Sequence, residues 1–214
     1  MQYKWLNKKE NKNLIVFFNG WGMDEKVVEH LNFANYDVLT FYDYRSLEID
    51  DFDFSNYENK VLIAWSMGVY VCNYFYEQFK NFDKFVAING TQKPIDENYG
   101  IPPVIYNLTV DNFNELSCSK FMKKISTTVD LKEYSSRTLE ALKQELISIR
   151  DLKVEKLFNF DKAILSTKDR IFPIKNMKNY WNEKRVEIIE VEKAHYIFDS
   201  YKNWSDLIWL INHL

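Results

Sequence analysis

Of the 214 residues, only two are cysteine, three histidine, four proline and five glycine. The cysteines, Cys72 and Cys118, stand alone, with no CxxC or ligand-spaced partner. That excludes a disulfide scaffold and a cysteine-based metal centre, and a reducing, cytoplasmic setting is expected. Apolar runs stop far short of the roughly 18 residues that would cross a bilayer. The segment Met1-Gln2-Tyr3-Lys4-Trp5 has no apolar signal core, so neither a membrane span nor a signal peptide is expected. A net charge of −3 is too small to point to nucleic acid. With glycine this rare, each one is expected where backbone geometry matters. Aromatic residues and mixed charges are plentiful, which fits one globular domain large enough for a substantial core.

The apolar runs that do occur have strand length. Leu14 to Phe18 reads as a doubly covered strand of a parallel sheet, ending in Asn19-Gly20-Trp21-Gly22. Asp24 then caps an expected helix carrying Val27, Val28 and Leu31. Further strands are expected at Tyr36–Tyr42, Val61–Trp65 and Phe85–Ile88, with an irregular acidic connection over 43–59 and a helix from Val69 to Phe79. Alternating strands and helices predict an α/β fold with a mostly parallel sheet. The alternation stops between about Thr91 and Phe158, where helices are expected at Asn112–Ile125 and Ser136–Arg150. Leu139, Leu142, Leu146 and Ile149 form an apolar stripe on the second. The reading is therefore a core of residues 1–91 and 159–214 with a helical cap insertion at 92–158. Strands at Ala163–Leu165 and Val186–Ile189 and a closing helix at Trp204–Leu214 complete the core.

Ala64-Trp65-Ser66-Met67-Gly68, placed between a strand and a helix, has the small-x-Ser-x-Gly form of a nucleophile elbow. A serine nucleophile needs a base, a carboxylate to hold the base, and donors for the oxyanion. The three histidines make the search short. His30 precedes the serine in chain order, and His213 falls near the end of the last helix. His195 alone lies between the last strand and the closing helix, a placement that fits the order Ser, Asp or Glu, His. Asp169 follows the Ala163–Leu165 strand and is the expected orienting acid; Asp161 lies on the wrong side of that strand and Asp199 too close after His195. The expected oxyanion donors are the amides of Met67 and Trp21, with Trp21 and Trp65 as pocket walls. No metal ligand set is found.

Phe17-Phe18-Asn19-Gly20-Trp21-Gly22-Met23-Asp24, together with Trp65-Ser66-Met67-Gly68 and the segment Asp96 to Pro102, resembles the short α/β-hydrolase form of pimeloyl-[acyl-carrier protein] methyl ester esterase. The resemblance implies an α/β-hydrolase fold, Ser66, His195 and Asp169 as triad, and no cofactor. It also implies a carboxylesterase that frees the ω-carboxylate of a pimeloyl chain carried by acyl carrier protein for biotin synthesis. Between Cys118 and Lys156 nine basic residues stand against six acidic ones, and Lys143 and Arg150 share a helix face. An acidic carrier protein would suit such a surface. A monomer is expected. Two other readings stay open: another small α/β-hydrolase, such as a menaquinone-pathway lyase or a thioesterase, and a non-catalytic α/β-hydrolase-fold binding protein.

Overall fold

The computed structural model describes residues 1–126, 128 and 136–213. Seven strands form one sheet: β1 (Gln2–Asn7), β2 (Asn13–Phe18), β3 (Tyr36–Tyr42), β4 (Asn59–Trp65), β5 (Lys84–Ile88), β6 (Lys162–Ser166) and β7 (Glu187–Val191). Their order is β1-β3-β2-β4-β5-β6-β7, parallel except for β1. Strand β2 lies between β3 and β4. Its Leu14, Val16 and Phe18 belong to the core on one face, and its Ile15 and Phe17 to the core on the other. All five are fully buried, which is why the run is apolar throughout and not alternating. Each such side chain contributes roughly 1.5–3 kcal/mol of burial.

Strand β1 is absent from the sequence-based expectation. It pairs antiparallel to β3 at the sheet edge, where Tyr3 and Trp5 pack partly buried against one face and Leu6 against the other, while Gln2 and Lys4 stay exposed. A strand of that kind needs no continuous apolar run. The expected helix at Val69–Phe79 is broken into α1 (Gly68–Val71), a 3₁₀ segment (Cys72–Phe75) and α2 (Tyr76–Phe79). The cause is Asn73, whose buried amide donates to the carbonyls of Val69 and Tyr70, competing with the helical ladder. Its Oδ1 accepts from Gln92 and from the amide of Phe158. After Asp24, which caps through the amide of Lys26, the chain makes only a 3₁₀ turn, Glu25–Val28.

Among the described residues, three α-helices lie between β5 and β6: α3 (Pro103–Asp111), α4 (Glu115–Ile125) and α5 (Leu139–Asp151). Helix α3 is absent from the sequence-based expectation; Val104, Ile105 and Leu108 are exposed and blur the period, and its buried residues are Tyr106 and Val110. Helix α4 starts at a capping box, Asn114 with Ser117. In α5, capped by Thr138, the stripe of Leu142, Leu146 and Ile149 is buried, whereas Leu139 is largely exposed. Beyond β6, α6 (Ile174–Glu183) was missed, although Pro173 and the i, i+3, i+4 spacing of Met177, Tyr180 and Trp181 announce it. Helix α7 (Trp204–His213) closes the chain; Leu214, included in the expected helix, lies outside the described residues, as do Thr127 and residues 129–135. No helix among the described residues is long and apolar enough to cross a membrane.

Candidate active site

The turn after β4 places Ser66 at φ +57°, a left-handed conformation in which a side-chain-bearing residue is strained. Two close approaches hold it there. A Cβ on Gly68 would sit 2.5 Å from the carbonyl oxygen of Phe18, and one on Gly90 would sit 2.3 Å from that of Ser66 itself. The Ser66 amide donates to the carbonyl of Ile88 at 2.8 Å. Gly68 was legible as part of the elbow motif. Gly90 comes from the end of β5, and its only sequence signal was the rarity of glycine.

The Ser66 hydroxyl lies 2.8 Å from Nε2 of His195, and Nδ1 of His195 lies 2.7 Å from Oδ2 of Asp169. Both the imidazole and the carboxylate are almost completely buried. The second oxygen of Asp169, Oδ1, accepts from the amides of Ile171 (2.7 Å) and Phe172 (3.0 Å), which fixes the plane of the carboxylate. The loop carrying His195 is held by its own carbonyl, which accepts from the Trp65 indole at 3.0 Å and the Asn89 amide at 2.8 Å. The next residue, Tyr196, donates its amide to the carbonyl of Ile125 in α4. The ring of Phe172 lies parallel to the imidazole. Trp65 therefore does more than wall a pocket. Asn89 was not identified from sequence; at φ +47° it ties the ends of β5 and β6 together through Ser166.

The turn after β2 lies against this pair. A Cβ on Gly20 would come within 3.2 Å of the Ser66 Cβ. Gly22 takes φ +79°, open to glycine and strained for other residues. Among the described residues, neither the Trp21 nor the Met67 amide donates a hydrogen bond within the protein. A cavity opens at Ser66, His195, Trp21 and Trp65, with apolar walls that include Ile105, Phe121 and Leu146. A buried hydroxyl within reach of an imidazole, an imidazole held by a carboxylate and unengaged amides nearby is an arrangement able to transfer an acyl group through serine. Three of the rejected candidates have other partners. Asp161 accepts from the Phe85 amide, Asp199 from Thr128, and the His30 ring meets the carbonyl of Phe198.

The family model described as "Pimeloyl-ACP methyl esterase BioG" matches residues 1–207. The chain belongs to the BioG family. It is similar to the BioG of Haemophilus influenzae, whose crystal structure superposes with a TM-score of 0.86 at 33% identity, covering 97% of this chain and 99% of that one. A Bacteroides fragilis protein named malonyl-[acyl-carrier protein] O-methyltransferase is 37% identical over 194 residues, 86% of this chain. The chain spans 40% of that protein's length. An esterase from Exiguobacterium antarcticum shares the α/β-hydrolase fold alone, with a TM-score of 0.65 at 12% identity over 99% of this chain and 94% of that one.

In this BioG-family chain, Lys143 and Arg150 both stand on α5, half-buried and exposed respectively, and neither lines the cavity. Arg150 bonds its neighbour Asp151, which offsets part of its charge. Two basic residues that sequence reasoning did not single out, Lys124 and Arg170, do line the cavity. No cluster of histidine, cysteine and carboxylate residues that could hold a metal occurs among the described residues.

Proposed function

We propose that this protein is a serine carboxylesterase that hydrolyses the methyl ester of pimeloyl-[acyl-carrier protein], releasing methanol and the free ω-carboxylate needed for biotin synthesis. The observation that carries the reading is the chain of short contacts from Ser66 through His195 to Asp169 in a member of the BioG family. His195 Nε2 takes the Ser66 proton as Oγ attacks the ester carbonyl. The developing oxyanion accepts from the amides of Trp21 and Met67. The imidazolium then gives its proton to the leaving methoxide, and methanol departs. Water attacks the acyl-enzyme by the same route, with His195 again as base, and the acid leaves. Asp169 holds Nδ1–H and favours the imidazolium. The apolar cavity takes the methylene chain, and Trp21 and Trp65 form part of its wall.

The carrier protein is the proposed partner, met in the cytoplasm by a monomer, with Lys143 and Arg150 of α5 as contacts. The Bacteroides relative is named for methyl transfer to an acyl carrier protein, which supports a carrier-bound methyl ester as the shared chemistry. The test is methanol release from synthetic pimeloyl-carrier-protein methyl ester. The wild-type chain releases it, and Ser66→Ala loses about 10⁴-fold or more in kcat. Turnover that survives Ser66→Ala refutes the serine mechanism. A chain that cleaves small esters but not this substrate refutes the assignment of substrate.

A further inference from the structure

The cap helix α5 carries a carboxylate that has no role in the chemistry above. Glu145 is completely buried, with its side chain at 0% exposure. Three hydrogen-bond donors surround it. Its Oε2 accepts from the amide of Gly22 at 3.1 Å and from Arg137 Nη1 at 2.9 Å. Its Oε1 accepts from the amide of Tyr44 at 2.9 Å. Arg137 in turn donates to the carbonyl of Met23 at 3.0 Å and lies 3.4 Å from Asp43. Burial pushes the Glu145 carboxyl upward, against the pull of Arg137 and the two amides.

These contacts converge on one short turn. Gly22 is the residue after Trp21, and its left-handed backbone sets the direction of the Trp21–Gly22 peptide. Tyr44, whose amide Glu145 holds, donates its hydroxyl to the carbonyl of Asn19 at 2.6 Å, at the other end of the same turn. The Trp21 indole donates to the carbonyl of Leu142, one helical turn before Glu145. The turn that presents the Trp21 amide beside Ser66 is thus gripped at Asn19, Trp21 and Gly22. Each grip traces to α5 or to a residue that Glu145 holds.

We infer that Glu145, paired with Arg137, is a positioning residue for the oxyanion hole: it aims the Trp21 amide by fixing both flanks of its turn. The inference rests on the reading of Trp21 as an oxyanion donor. It makes α5 part of the catalytic apparatus as well as a cover. An amide shifted by a fraction of an ångström weakens its bond to the tetrahedral oxyanion more than its contact with ground-state ester.

The test is Glu145→Gln. Both carboxylate oxygens accept from backbone amides, so glutamine must turn its NH₂ against one of them. The readouts are kcat and KM on a p-nitrophenyl ester of a short acyl chain, and the Ki of an alkyl boronic acid, whose serine adduct places an oxygen in the oxyanion hole. The expected result is a kcat about 10- to 100-fold lower, a KM little changed, and a boronate Ki raised by the same factor as kcat/KM falls. A role confined to stability lowers Tm and leaves all three constants unchanged for the folded enzyme, and that result overturns the inference. A rise in KM at unchanged kcat overturns it too. Where Glu145→Gln does not fold, the double variant Glu145→Leu with Arg137→Met carries the same test, since a buried ion pair exchanged for apolar residues commonly keeps its stability. Ser66→Ala separates the two levels. If it is inactive and boronate affinity of Glu145→Gln matches wild type, the positioning role alone falls. If Ser66→Ala keeps wild-type turnover, the serine reading falls and the inference with it.

Discussion

Substituting Asp169 by asparagine tests the site at the point where its geometry is most constrained. In the native side chain Oδ1 accepts from the amides of Ile171 and Phe172, and Oδ2 faces Nδ1 of His195 at 2.7 Å. Asparagine has one acceptor oxygen and one donor nitrogen. Turning the nitrogen toward the two amides would leave both unpaired in a buried site, at roughly 1–3 kcal/mol each. The oxygen therefore stays where Oδ1 is, and the NH₂ group faces Nδ1. Nδ1 must then become an acceptor, which moves the imidazole proton to Nε2. Nε2 lies 2.8 Å from the Ser66 hydroxyl and, once protonated, can no longer take its proton. The imidazolium also loses its carboxylate. The expected loss in kcat is about 10⁴-fold at neutral pH, or about 5 kcal/mol of transition-state stabilisation. The assay is initial-rate hydrolysis of a p-nitrophenyl ester, paired with ¹⁵N NMR of the imidazole to read its tautomer. A variant that keeps more than about a tenth of wild-type kcat, or whose Nδ1 still carries the proton, refutes the argument.

Trp65→Phe removes one of the two donors to the carbonyl of His195; kcat falls about 10-fold or less because Asn89 remains, and steady-state kinetics decide it. Gly90→Ala drives a methyl into the Ser66 carbonyl, so Tm and kcat fall together, with a stability loss of about 1–3 kcal/mol by denaturant melts. Burial pushes the Asp43 carboxyl upward, but its bonds from Arg45 and the nearby Arg137 outweigh this and hold it below the usual carboxylate range. Its stabilisation is therefore full above the unfolded pKa of about 3.9 and is lost as pH falls through the lower folded value. Asp43→Asn should flatten the acid limb of the Tm–pH curve; an unchanged limb refutes the linkage. Charge reversal at Lys143 and Arg150 raises KM for the carrier-protein substrate and leaves small-ester turnover unchanged, and equal loss on both substrates removes these residues from docking.

Local signals were enough for the site's outline. Strand-length apolar runs announced the six parallel strands, and the elbow residues announced a strained serine, because a turn that tight admits so few side chains. Chain order and location together singled out His195 from three histidines and Asp169 from its neighbours. Residues whose job depends on distant partners left no such mark. Asn73 reads as one more polar residue in a helix until Gln92 and Phe158 arrive from elsewhere in the chain. In sequence Glu145 is one of the six acidic residues between Cys118 and Lys156, with nothing to set it apart. Only the packing of α5 against the turns after β2 and β3 buries it among three donors. Periodicity reports which face of an element is apolar; it carries no information about a polar side chain whose partners lie more than a hundred residues away. Which side chains meet at Ser66 was therefore legible in the sequence. The aim of the backbone around them was decided by the fold, because hydrogen bonds between distant segments exist only once the sheet and its covering helices have met.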